Sequence, residues 1–261
     1  MTRAFRTERQ RGFTLIELMA ALGIFLLVCG AAFTLLASSQ QHARTESQVL
    51  TSFQEARLAL DQIVRDVNDA GYPPPTFVDS SNPQYSASTP FAWSPGYTVP
   101  TPCTIDGSCI TPGDFDLIVE TNSQDPGTQV QWIRYQLQGT TLMRGVALKQ
   151  TGHDPAVDTA TFFAPFVQNV INNSSPAQIA QYQLSYPGMF PGGVPVSLFS
   201  YTCDTGGVPL PCPSAGTANA PANIRDVVVT LIVEAPTPDA TTSQPRLVQL
   251  IGRGRRINPN Q

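Results

Sequence analysis

From Phe13 to Ala37 the chain reads FTLIELMAALGIFLLVCGAAFTLLA, an apolar run broken by a single charge, Glu17. At about 1.5 Å of rise per residue, a helix of this length crosses a bilayer core. Beyond it the hydrophobic pattern changes rather than stops. Val49, Phe53, Ala56, Leu60, Ile63 and Val67 recur at steps of four and three, the seam of an amphipathic helix. Glu46, Glu55, Arg57, Asp61, Arg65 and Asp66 stand between them and are expected on a solvated outer face. Gly71 and the run Tyr72-Pro73-Pro74-Pro75 then end the pattern, because the prolines cannot continue a helix. The pattern predicts one helix over 13–71, with 13–37 as its membrane-spanning part.

After the prolines the period shortens. Residues 76–112 are rich in Ser, Thr, Pro and Gly, with isolated aromatics Phe77, Tyr85, Phe91, Trp93 and Tyr97, and read as a long loop. Strand-like runs follow at 115–120, 129–137, 141–148, 194–202, 224–233 and 246–252, and Gln138-Gly139-Thr140 suits a hairpin turn. A long helix followed mostly by antiparallel strands predicts an α+β fold in which residues 72–261 form a β-rich domain whose sheet covers the helix seam.

Charge and cysteine usage place these parts in different compartments. Arg3, Arg6, Arg9 and Arg11 against Glu8 give the first twelve residues a net +3, so the remainder carries −7 of the total −4. No Lys or Arg follows the apolar run until Arg44, so the positive-inside rule leaves the N-terminus in the cytoplasm and exports the rest. An acidic body argues against broad nucleic-acid binding, which needs cations to displace phosphate counterions; the cluster Arg253, Arg255 and Arg256 is the exception. Cys103, Cys109, Cys203 and Cys212 form two local pairs in the exported part and suit an oxidising compartment. Short separation favours Cys103 with Cys109 and Cys203 with Cys212 among the three possible pairings. Zinc fits poorly, since neither spacing suits a metal knuckle and no histidine is near. Cys29, inside the apolar run, is expected to stay free.

No enzyme is expected. The chain has only His42 and His153, no glycine-flanked nucleophile, no phosphate-binding loop and no clustered metal ligands, and no cofactor is implied. The apolar N-terminal run admits several readings. A secretory signal cut near Ala37-Ser38-Ser39 would have too long an apolar core and would carry a carboxylate. Lipoprotein processing at Cys29 lacks the small residue that should precede the cysteine, where this chain has Val28. A plain anchor leaves Glu17 unexplained, since an ionisable group in hydrocarbon is costly and generally serves a purpose.

Arg11-Gly12-Phe13-Thr14-Leu15-Ile16-Glu17-Leu18 at the end of a short basic leader resembles the cleavage and methylation signal of type IV prepilins and type II secretion pseudopilins. The resemblance implies that residues 1–12 are removed by prepilin peptidase between Gly12 and Phe13, that Phe13 is N-methylated, and that Glu17, fifth in the mature chain, serves assembly. It also implies a pilin-like fold, a single-pass inner-membrane precursor with a periplasmic domain, and partners in other pilins and an inner-membrane assembly platform.

Weaker blocks resemble W-type minor pilins and, next, J-type minor pseudopilins: Arg57-Leu58-Ala59-Leu60-Asp61, Arg65-Asp66-Val67, Ala70-Gly71-Tyr72, Tyr135-Gln136-Leu137, Leu142-Met143-Arg144, Phe166 to Val170 and Ile224 to Leu231. They imply a minor pilin acting in filament assembly or in a tip complex. The alternatives are a minor pseudopilin of a secretion system, or an adhesin or DNA-binding subunit using the 76–112 aromatics or the C-terminal arginines.

Overall fold

The computed structural model describes residues 14–74, 83–87, 89–92, 113–122, 128–150, 153–204, 210–212, 223–238 and 244–257. By internal contacts the chain divides into a unit over 1–47 and a unit over 48–261. The helix α1, Leu15–Asn68, contributes to both, and Gly71 follows its end with φ 85°, a left-handed turn that glycine adopts without steric cost.

Among the described residues of the second unit, nine strands, all paired antiparallel, form two sheets, with an isolated bridge between Val170 and Val233. The first sheet runs β1 (Phe91–Ala92), β2 (Asp116–Thr121), β3 (Gln131–Gln138), β4 (Thr141–Leu148) and β5 (Ala164–Val167). The second has the order β7 (Leu210–Pro211), β6 (Phe199–Cys203), β8 (Ile224–Glu234), β9 (Leu247–Arg255). Five expected strands lie close to their expected positions. The sixth begins at Phe199 instead of 194, because a 3-10 turn at Pro191–Gly193 and an irregular stretch precede it. Two short helices had not been expected: α2 (Pro155–Thr161), capped by the Asp154 side chain, and α3 (Pro176–Ser185), which opens on a capping box of Ser175 and Gln178.

The expectation of a single covering sheet is corrected to two. Val170 sits at their junction: its N–H donates to Thr140 O at 2.8 Å and it bridges to Val233, while Ile171 N–H donates to Ile232 O at 2.9 Å. Asn172, fully buried beside it, acts as a side-chain splice. Its amide nitrogen donates to Thr230 O at 2.7 Å and Val196 O at 3.1 Å, and its Oδ1 accepts from Ile232 N–H at 2.8 Å. These bonds satisfy backbone groups beside β8 that no strand covers.

The core lies around the second half of α1. Ala56, Leu60, Ile63 and Val67 are buried with Leu117, Ile133 and Leu142 from the first sheet and Phe199, Val229 and Leu231 from the second. The apolar seam is therefore where the sequence pattern puts it, although Phe53 is only half-buried. Two glycines let β9 come close to the helix: a Cβ on Gly252 would lie 2.9 Å from Leu60 Cδ1, and one on Gly254 would lie 2.5 Å from Val67 Cγ1. Gly145 in β4 does the same for α2, since a Cβ there would lie 2.2 Å from Thr159 O.

Asp66 departs from the expected outer face and is buried. It accepts from the Tyr135 hydroxyl at 2.6 Å and from Gln62 Nε2 at 2.7 Å, and Arg144 completes the group with Nε on the Tyr135 oxygen at 3.0 Å and NH2 at 3.4 Å from the carboxylate. Burial and the adjoining Asp66 carboxylate raise the Tyr135 phenol far above its ordinary range, so it remains a neutral donor. A second buried pair, Lys149 with Glu120, lies under the segment at Ser86, whose carbonyl accepts from Nζ at 2.8 Å.

Tyr135→Phe removes the donor but not the ring, and should cost about 1.5–3 kcal/mol because the acceptor is a charged, buried group. Equilibrium denaturation of Tyr135→Phe, Asp66→Asn and the double variant should give a coupling of about 0.5–3 kcal/mol. Strictly additive losses would mean that the tyrosine and the carboxylate do not act together.

Candidate functional site

The first part of α1, through Leu36, carries its large apolar side chains outward: Leu15, Leu22, Phe25, Leu27, Phe33 and Leu35 are all exposed. It is long and apolar enough to cross a membrane. Such a surface needs lipid or other apolar helices around it. Cys29 is a free thiol in this stretch.

Glu17 lies in the first turn. Its Oε2 accepts from the Thr14 backbone N–H and from the Thr14 hydroxyl, both at 2.9 Å, while Glu17 N–H points to Thr14 Oγ1 at 3.4 Å. This is the reciprocal geometry of a capping box, in which the first turn's unpaired donors find side-chain acceptors. A Thr followed three residues later by Glu, just ahead of an apolar run, is the sequence signature of that box and would have placed the helix start at Thr14. Gly12 and Phe13, the expected cleavage position, lie outside the described residues; Thr14 is next to Phe13 in the chain.

Of the four cysteines beyond the helix, Cys203 and Cys212 are joined by a disulfide with Cα atoms 4.8 Å apart, which ties β6 to the end of β7. Cys103 and Cys109 lie outside the described residues.

Of the C-terminal arginines, Arg253 and Arg255 are exposed and Arg256 is buried. Arg253 points to Asp226 at 2.7 Å, and Arg256 is buried, its guanidinium pushed down to about 10 by desolvation while Asp204 opposes the shift. Arg255 remains exposed, with its backbone N–H on Asn68 Oδ1 at 2.8 Å. The loop aromatics are likewise not all surface groups: Phe91 is fully buried in β1, opposite Val119. Phe77, Trp93 and Tyr97 lie outside the described residues.

His153 reaches Asp158 at 3.0 Å on the rim of a shallow groove lined also by Leu148, Gln150 and Phe162, and His42 is exposed on α1. Among the described residues, no group of three or more His, Cys, Asp or Glu side chains is placed to hold a metal.

The prokaryotic N-terminal methylation motif matches residues 8–35, which contain Gly12, Phe13, Glu17 and most of the apolar run. No curated protein and no solved structure matches the chain. The motif stands at the head of an apolar helix that leads into an antiparallel α+β domain, an arrangement that supports the resemblance to type IV prepilins and pseudopilins.

Proposed function

We propose that the chain is a minor pilin, made as an inner-membrane precursor with its N-terminus in the cytoplasm and its β-rich domain in the periplasm, and drawn into a type IV pilus by its N-terminal helix. The observation that carries this reading is the methylation motif over 8–35, borne on a helix whose first half is exposed on every side. Prepilin peptidase cuts after Gly12 and methylates the new N-terminus at Phe13. The same motif serves pseudopilins of type II secretion. The weak W-type blocks favour the pilus. The pairing of Arg253 with Asp226, the burial of Arg256 and the burial of Phe91 support an assembly role over a DNA-receptor or adhesin role.

Glu17 is the assembly residue in this reading. In the uncleaved chain its carboxylate is held by Thr14, and cleavage frees an α-amino group on the residue before Thr14, Phe13. A carboxylate in apolar surroundings gains most from a cation, and the Phe13 amino group of a neighbouring subunit supplies one. A buried charge pair of this kind is best used to fix register, here the axial step of one helix against the next.

Glu17→Ala should insert, lose its leader at Gly12 and keep the exported domain folded, yet enter filaments at a level reduced at least tenfold. Mass spectrometry of the N-terminus and immunoblotting of sheared filaments check both points. A parent chain that retains its leader, or begins near Ser39, would remove the basis of the reading; a variant that assembles as well as the parent would remove the role of Glu17.

A further inference from the structure

Among the described residues four strands stand at sheet edges, and three of them are poor templates for further pairing. β1 is two residues long, and β5 and β7 carry Pro165 and Pro211, which cannot donate to a ladder. β9 is the fourth. It runs nine residues without a proline, and its inner face is pressed onto α1 through Gly252 and Gly254, so its backbone is held in place.

The ladder shows which groups of β9 face outward. Ala235 N–H donates to Arg246 O at 2.8 Å and Arg256 N–H to Arg225 O at 3.0 Å, at the two ends of the β8–β9 register. Bonded residues alternate in an antiparallel pair. Val248, Leu250, Gly252 and Gly254 therefore bond β8, while Gln249, Ile251, Arg253 and Arg255 turn their N–H and C=O groups away from it. Thr230, opposite Ile251, agrees with this phase, since its N–H donates to Leu198 O at 2.9 Å on the other side of β8. Arg255 N–H is taken by Asn68 Oδ1 at 2.8 Å. The outward groups of Gln249, Ile251 and Arg253 have no partner among the described residues, and all three residues are exposed, Ile251 by 63%.

We propose that this edge binds an extended segment of a partner protein, which adds a strand to the second sheet beside β9. An extended polypeptide offers alternating donors and acceptors at the repeat of the open edge, about 6.6–6.8 Å for every second residue. The exposed side chains set the rest of its chemistry. Ile251 favours an apolar, β-branched side chain opposite. Arg253 is already met by Asp226 at 2.7 Å, whereas the Arg255 side chain is exposed and has no acid on it among the described residues, so the segment carries a carboxylate at that end. One uncommitted guanidinium at the edge is too little for nucleic acid or an anionic membrane, which are held by many cations. The proposal is independent of the filament reading, because it follows from the hydrogen bonding of β9 alone.

The test uses the full-length chain in detergent, with a phage-displayed library of short random peptides as the probe. Selected peptides should alternate apolar and polar positions, carry Asp or Glu, and lack proline at their centre. In the free chain the amides of Gln249, Ile251 and Arg253 should exchange with solvent as open groups, and bound peptide should slow them by about tenfold or more. Ile251→Pro removes an outward N–H and no ladder bond, so the unfolding temperature should hold while peptide binding weakens by about tenfold or more. Arg255→Glu should weaken the acidic peptides by a similar factor and select basic ones in their place, and it decides the matter if Ile251→Pro fails to fold. The proposal is overturned if no peptide is selected, if selected peptides protect other amides, or if they bind both variants as they bind the parent. Amides already protected in the free chain would also overturn it, since a second copy would then cover the edge.

Discussion

The apolar seam on the second half of α1 is the constraint that organises the β-rich domain. A helix that buries Ala56, Ile63 and Val67 completely needs cover along the whole of that stripe, and one small sheet cannot supply it. Both sheets therefore close on the same helix, which makes their inner faces parts of one core. The requirement explains details that would otherwise look arbitrary. Gly252 and Gly254 weaken β9 as a strand but permit its backbone to lie on Leu60 and Val67. Asp66 brings a carboxylate into the same core, and Tyr135 and Arg144 compensate for it from two strands of the first sheet.

The two halves of α1 meet different solvents with the same secondary structure. In the first, apolar residues cover every side and the charge at position 17 is taken up by Thr14 at the helix start. In the second, the buried apolar residues form one seam and the outer face carries Glu55, Arg57, Asp61 and Arg65 in contact with water, with Leu58 exposed among them. The change from an all-round to a one-sided pattern marks the passage from lipid to a packed domain.

Much of this was legible in the sequence because periodicity is a local property. The helix seam and five of the strands follow from spacings of three, four and two, and the Cys203–Cys212 pair from its short separation. What escaped depends on contacts distant in the chain. Nothing local to Asp66 distinguishes it from Arg65; its burial is decided by Tyr135, sixty-nine positions away. The division into two sheets turns on Val170 and Asn172, whose partners lie in β8 and in the β3–β4 turn. Other features did carry local signals: Asp154-Pro155 and Ser175-Pro176 with Gln178 are helix starts, Thr14 with Glu17 is a capping box, and Gly145 inside a strand marks close backbone approach.

If the second half of α1 is core rather than connector, the β-rich domain cannot fold without it. The direct measurement is thermal unfolding, followed by circular dichroism, of two periplasmically expressed fragments, residues 48–261 and residues 72–261. The longer fragment should unfold in one cooperative transition, while the shorter, deprived of Ala56, Leu60, Ile63 and Val67, should show none. A fragment of residues 72–261 that unfolds cooperatively at the same temperature as the longer one would contradict the account.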